Sequence, residues 1–201
     1  KDLVPLLETV PRAWSKKLVL LQNELLPKDY RHLSKPTVIS VWFEKKKGQD
    51  SKVIIPSPAF GPRAKLLARA LATLDIPVSV LQRKRDLLFE LVVKNLYILT
   101  TNIAGLRTGG TVSELWSQHQ STARAVADEV IGLQEALTGK QFDHEALIAG
   151  MVRAFHGDPE HNCTGRSAPA RLKRALTNAE RLGIETPTLN AIAAEQSRTT
   201  S

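Results

Sequence analysis

Apolar residues are spaced in two different ways along the chain. Up to residue 82 they fall mostly in short runs broken by prolines, glycines and charges, and beyond it they recur every three or four residues over long stretches. Residues 1–16 have helical spacing, with Pro5 in the first turn, where a missing amide hydrogen is tolerated. Within KLVLLQNELL (17–26), the run Leu18 to Leu21 predicts a strand buried on both faces and ending at Gln22-Asn23. PTVISVWFEKKKG (36–48) and SKVIIPSPAFGP (51–62) predict a hairpin across the polar KKKGQD turn. Pro62 opens a helix over 63–74, in which Leu66, Leu67, Ala70, Leu71 and Leu74 keep helical spacing, and IPVSVLQ (76–82) predicts one more short strand.

From residue 83 every periodic segment is helical. The first of these ends at Gly105, before the turn RTGG. TVSELW then carries a capping box, Thr111 with Glu114, at the head of a helix running to about Leu137. Asp143 caps a helix over 144–155, which breaks at HGDPEHNCTG. Ser167, with Pro169 just inside, opens a helix closed by Gly183, and Thr186-Pro187 starts the last one. The polar QSRTTS end is expected to be disordered. The fold class is therefore α/β followed by all-α, with domains at 1–82 and 83–201.

One helix breaks its own pattern. ELVVKNLYILTTNIAGL (90–106) is apolar on nearly every side, as a buried helix is, and yet contains Lys94, Thr101 and Asn102. Positions i, i+7 and i+8 share a face, so an ammonium and a carboxamide stand roughly 10–12 Å apart along it, with room for a small ligand between their tips. The alternative is that Lys94 snorkels out along its own methylenes.

Composition narrows the partners. Lys and Arg total 28 against 20 Asp and Glu, a net charge of +8 that favours an anionic partner such as nucleic acid, a phosphorylated cofactor or a small carboxylate. The basic residues come in scattered bursts (EKKKG, QRKRD, ARLKRA) and aromatic residues are only 5% of the chain, so nucleic acid is disfavoured. The single cysteine, Cys163, excludes an internal disulfide and fits a reducing, cytoplasmic setting. Neither a run of 18 apolar residues nor a signal pattern is present, so neither a membrane nor secretion is indicated. Lys1 in place of an initiating methionine suggests a fragment of a longer protein.

Other chemistry-bearing stretches carry less. His156, Asp158, His161 and Cys163 gather in HGDPEHNC, but the H-x4-H-x-C spacing matches no zinc signature and suits a polar interhelical loop better, so no metal is expected. PSPAFGP lacks the lysine of a phosphate loop, His32, His119 and His144 have no partners in sequence, and no G-x-S-x-G elbow supports a hydrolase.

Three segments together resemble the ketopantoate reductases, the NADPH-dependent 2-dehydropantoate 2-reductases. LVLLQNELL is similar to the family's strand and L-x-N-G loop, with Asn23 at its asparagine. ELVVKNLYILTTN is similar to the first helix of its C-terminal domain, with Lys94 at the catalytic lysine and Asn102 at the asparagine eight residues on. AERLGIETPTLNAI resembles its closing G-x-x-x-P element, from Gly183 to Pro187. The resemblance implies the distal part of a Rossmann-like dinucleotide-binding domain over 1–82. Over 83–201 it implies a helical substrate and dimerisation domain of the 6-phosphogluconate dehydrogenase C-terminal-like type.

It also implies NADPH-dependent reduction of a 2-keto acid to a 2-hydroxy acid. Lys94 would be the general acid for the developing alkoxide, with desolvation lowering a buried lysine's pKa toward a useful value. Asn23 would bind cofactor, Asn102, Thr101 and Ser167 would bind substrate, and the protein would form a homodimer.

The departures from the family pattern matter as much. No G-x-G-x-x-G occurs, so the first half of a dinucleotide domain is expected to be lacking, and this chain alone is expected to bind NADPH poorly and to be inactive. Ile98 replaces the asparagine expected four residues after Lys94, Glu24 replaces the glycine after Asn23, and Ser167 falls near the position of the family's substrate-binding glutamate. These losses leave a second reading open, a non-catalytic module of the same fold that binds an anionic partner through its basic surface.

Overall fold

The computed structural model describes residues 3–14, 17–44, 47–48 and 50–199. The chain divides into two compact units, Lys1–Lys94 and Asn95–Ser201. The division falls within a helix, some way past the change of pattern at residue 83.

The first unit holds a four-stranded mixed sheet in the order β1-β2-β5-β6. β1 (Val19–Gln22) runs parallel to β2 (Thr37–Ser40), and β2 runs antiparallel to β5 (Ser57–Phe60), which in turn runs parallel to β6 (Val78–Val80). β3 (Phe43–Glu44) and β4 (Lys52–Val53) pair as a separate two-stranded ribbon, with Phe43 opposite Val53. The predicted hairpin is therefore present as two ladders, β2 with β5 and β3 with β4. The ladders are separated where Trp42 turns fully inward. Its amide donates to Ser57 Oγ at 2.9 Å, and its carbonyl accepts from the Ile54 amide at 2.8 Å. Part of the KKKGQD turn, residues 45, 46 and 49, lies outside the described residues.

Two expectations for this unit fail for physical reasons. Among the described residues of the helix expected over 1–16, only α1 (Leu3–Glu8) is helical, because Pro11 excludes the helical conformation at Val10 before it. β1 is not buried on both faces: it is the edge strand, and Leu21 is 54% exposed while Leu20 is buried. α2 (Ala64–Ala72) packs instead over the centre of the sheet, on Ile39 and Ala59 with Val78 and Val80. On the other side Leu20, Val38, Tyr30 and Leu33 cluster with Leu7, Leu87 and Leu91.

α3 (Lys84–Thr108) is the helix anticipated from its apolar run, continued past the expected end at Gly105 through Arg107 and Thr108, and it is buried without interruption from Leu91 to Gly105. It is long and apolar enough to cross a membrane, but 78% of its most apolar window is buried inside the protein, as in a core helix.

The second unit continues with α4 (Val112–Gln118), α5 (Gln120–Thr138), α6 (His144–Gly157), α7 (Ala168–Leu182) and α8 (Pro187–Thr199), and α5 packs against the other four. The capping box forms as its residues require: Glu114 N donates to Thr111 Oγ1 and Thr111 N to the Glu114 carboxylate. Asp143 accepts from Ala146 N, and Gly139 and Gly183 close α5 and α7 in the left-handed conformation. The single helix expected from Thr111 to Leu137 is two, because His119 departs from helical geometry at φ −126° and ψ 31°. Ser167 precedes α7 without a side-chain cap bond. Of the QSRTTS tail expected to be disordered, residues 196–199 are helical, tied down where Gln196 Nε2 donates to the Leu106 carbonyl and Glu195 pairs with Arg107, and residues 200–201 lie outside the described residues.

Candidate active-site residues

In the first unit Lys94 is 6% exposed, and its ammonium lies 3.8 Å from the centre of the Trp42 ring. A desolvated cation over an indole face is held by the ring quadrupole, an attraction of about 2 kcal/mol. The β2–β3 connection positions the ring, because both backbone polar groups of Trp42 are bonded across the hairpin. Lys94 therefore does not snorkel to solvent. Trp42 is a partner that the sequence pattern did not reveal; the only signal was an aromatic residue in VISVWFE, which any strand could carry. Asn23 is exposed in the turn just after β1, at the carboxyl end of that strand.

The other candidates lie in the second unit. Asn102 is 9% exposed and is held at both ends of its carboxamide: Nδ2 donates to the Ile98 carbonyl at 2.8 Å, and Oδ1 accepts from Arg171 Nη1 at 3.1 Å. Thr101 is buried, and its hydroxyl donates to the Tyr97 carbonyl at 2.7 Å, one turn back on the same helix. Ser167 is exposed at the head of α7, and its carbonyl accepts from the Arg171 amide, so Arg171 stands one helical turn further along. Arg171 was also missed, because its partner lies 69 residues away in sequence.

Two further residues of α3 have structural work. Asn95 Nδ2 donates to Gln134 Oε1 on α5 at 2.9 Å within a buried contact, while Asn95 Oδ1 has no hydrogen-bond partner among the described residues. Gly105 lets the loop after α6 approach closely: a Cβ there would stand 2.6 Å from Cys163 Cβ. That loop is HGDPEHNC, and it is tied to the RTGG turn and the start of α4 by backbone bonds from Val112 to His161, from Ser113 to Pro159 and from Cys163 to Gly110. Burial, with the Glu114 carboxylate nearby, pushes the Cys163 thiol up to about 11.

No family model matches the sequence, and no curated protein is similar to it at a significant level. Solved structures do match it in fold. The 2-dehydropantoate 2-reductase from Methylococcus capsulatus aligns with a TM-score of 0.62 at 14% identity, covering 90% of this chain and 69% of that one. The 2-dehydropantoate 2-reductase from Porphyromonas gingivalis gives 0.60 at 14% identity, with 89% of this chain and 62% of the other covered. A D-mandelate dehydrogenase in complex with NADH gives 0.61 at 14% identity, with coverages of 96% and 73%. The chain thus spans between 62% and 73% of the length of these proteins. At such identities the likeness is one of architecture, and on that basis the chain has the fold of the 2-dehydropantoate 2-reductases.

Proposed function

We propose that the protein is an oxidoreductase that reduces a 2-keto acid to a 2-hydroxy acid with a nicotinamide dinucleotide, NADPH by its motif resemblance, and with Lys94 as the proton donor. The observation that carries this reading is the buried ammonium of Lys94 on α3. Ionisable groups in apolar surroundings are costly and are concentrated where chemistry uses them.

The chain's residues suit one end of the cofactor better than the other. Asn23 is exposed at the carboxyl end of β1, the side on which open α/β sheets take their ligands, and would meet the nicotinamide. The pyrophosphate wants a glycine turn with open space, but Gly61, between β5 and α2, has its Cβ position filled by Pro36 O and Thr37 Cα, both at 2.7 Å. When bound, a reduced nicotinamide supplies a hydride to the keto carbon. The chain's own side chains handle the rest: Lys94 gives a proton to the carbonyl oxygen as negative charge develops there and is left as the neutral amine. Asn102 orients the substrate, Thr101 supports Asn102, and Ser167 lines the approach from α7. A homodimer is the assembly proposed, by analogy with one structurally similar protein, the dimeric ketopantoate reductase from Staphylococcus aureus.

The test is a screen of 2-keto acids with NADPH and with NADH, following loss of the dihydronicotinamide absorbance. Turnover of at least one acid with one dinucleotide is expected. Absence of turnover, together with salt-sensitive binding of a polyanion, would favour the non-catalytic module instead.

A further inference from the structure

β1 leaves one side of its backbone open. Thr37 N donates to the Leu18 carbonyl, and Val19 stands opposite Thr37 in the parallel ladder. The peptide groups of Leu18 and Leu20 therefore point to β2, and those of Val19 and Leu21 point away from it. β1 is the outermost strand on that side of the sheet, and among the described residues no hydrogen bond from beyond the strand reaches Val19 or Leu21.

Side chains border the same edge. Val19 packs with Ile39, Ala59 and Leu67 beneath α2, and alternation along the strand puts Leu21 on that face as well, 54% exposed. Val19, Leu66, Leu67 and Ala70 form the apolar wall of an open groove of about 380 Å³, and Leu66 is 52% exposed. The groove is completed by Lys17 and Arg63, both exposed, and among the described residues neither cation is in an ion pair. Arg63 is held by its backbone amide, which donates to Thr37 Oγ1 at 2.8 Å, so its guanidinium is not spent on the fold.

We infer that this edge is a docking surface for an extended acidic segment of a partner protein. The segment adds to β1 as a further strand, sets apolar residues against Leu21 and Leu66, and brings a carboxylate to Lys17 and Arg63. Main-chain bonds to Val19 and Leu21 supply affinity, and the two cations reject a basic strand. A second copy of the chain suits the edge less well, since KLVLLQN (17–23) has no carboxylate to set against those cations. The docking is independent of the reduction proposed above.

The test is fluorescence anisotropy of two labelled peptides, EVTVTVE and KVTVTVK, titrated with the 201-residue chain. The acidic peptide is expected to bind saturably and the basic one at least about tenfold more weakly. In the double variant Lys17→Glu with Arg63→Glu, whose altered side chains are exposed, that preference should reverse. Leu21→Pro should weaken the acidic peptide about tenfold or more, because proline deletes an outward amide and leaves the bonds to β2 in place.

Absence of saturable binding of the acidic peptide, equal binding of the two peptides, or a preference that survives the charge reversal would each overturn the inference. Unchanged binding by a Leu21→Pro protein shown to be folded by circular dichroism would do the same. Self-association in sedimentation that Leu21→Pro abolishes and the acidic peptide fails to compete would assign the edge to a second copy instead.

Discussion

The Lys94 ammonium sits 3.8 Å above the centre of the Trp42 ring, with both side chains almost wholly removed from solvent. The pair has two separable consequences. Packing around the indole and the attraction to the cation stabilise the first unit, while the cation itself is carried for chemistry. Trp42→Ala should therefore cost about 3–5 kcal/mol. Lys94→Met keeps most of the volume but loses the attraction to the ring, and should cost about 1–2 kcal/mol. Urea unfolding of both variants and of the double variant measures the coupling, expected at about 1–2 kcal/mol.

α8 is capped from another helix. Glu129 on α5 accepts from the Thr188 and Leu189 amides, at 2.6 and 3.0 Å, so one carboxylate satisfies two of the amides left open at the first turn. Glu129→Ala should lower stability by about 1–2 kcal/mol, and Glu129→Gln, which keeps only one acceptor oxygen, by roughly half of that. Thermal unfolding followed by circular dichroism reads both.

Asn95 and Gln134 meet at 2.9 Å inside the second unit. Gln134→Leu strands the Asn95 amide and should cost about 1–3 kcal/mol, whereas the double variant Asn95→Leu with Gln134→Leu should recover most of that loss. Denaturant titrations of the single and double variants decide it; equal loss in both would show that the bond itself, and not its unmet half, matters.

Cys163 sets a pH dependence. Its folded-state pKa is raised to about 11, above its ordinary value near 9, so the folded protein holds the proton more tightly than the unfolded chain. This contribution to stability is complete below pH 9 and is lost as the pH rises from about 9 to about 11. Cys163→Ala should flatten that part of the stability profile. In the native protein the thiol should react with an aromatic disulfide reagent only as fast as the loop opens.

What could be read in advance followed local chemistry. Thr111 with Glu114, Asp143, Gly139 and Gly183 announce helix ends because capping residues act within four positions of themselves. The hairpin and the α3 run were legible from β-branched and apolar periodicity. Leu21 misled because burial on both faces depends on where a strand lies in its sheet, and β1 is at the edge. His119 misled because TVSELWSQHQ has no proline or glycine to mark the break. At the candidate site Lys94 and Asn102 were visible as polar interruptions, but Trp42 and Arg171 were not. Each meets its partner across 52 or 69 residues, and nothing in local periodicity encodes such a contact.

Delivery of the proton by Lys94 in reduction of a 2-keto acid is the step on which the proposed activity turns. The most direct measurement is steady-state turnover of the best 2-keto acid by the parent protein and by Lys94→Met, with unfolding curves confirming that the variant is folded. A fall in kcat of about 10²–10⁴-fold, with KM changed much less, is predicted for loss of a general acid. An unchanged kcat in a folded Lys94→Met protein would contradict that role.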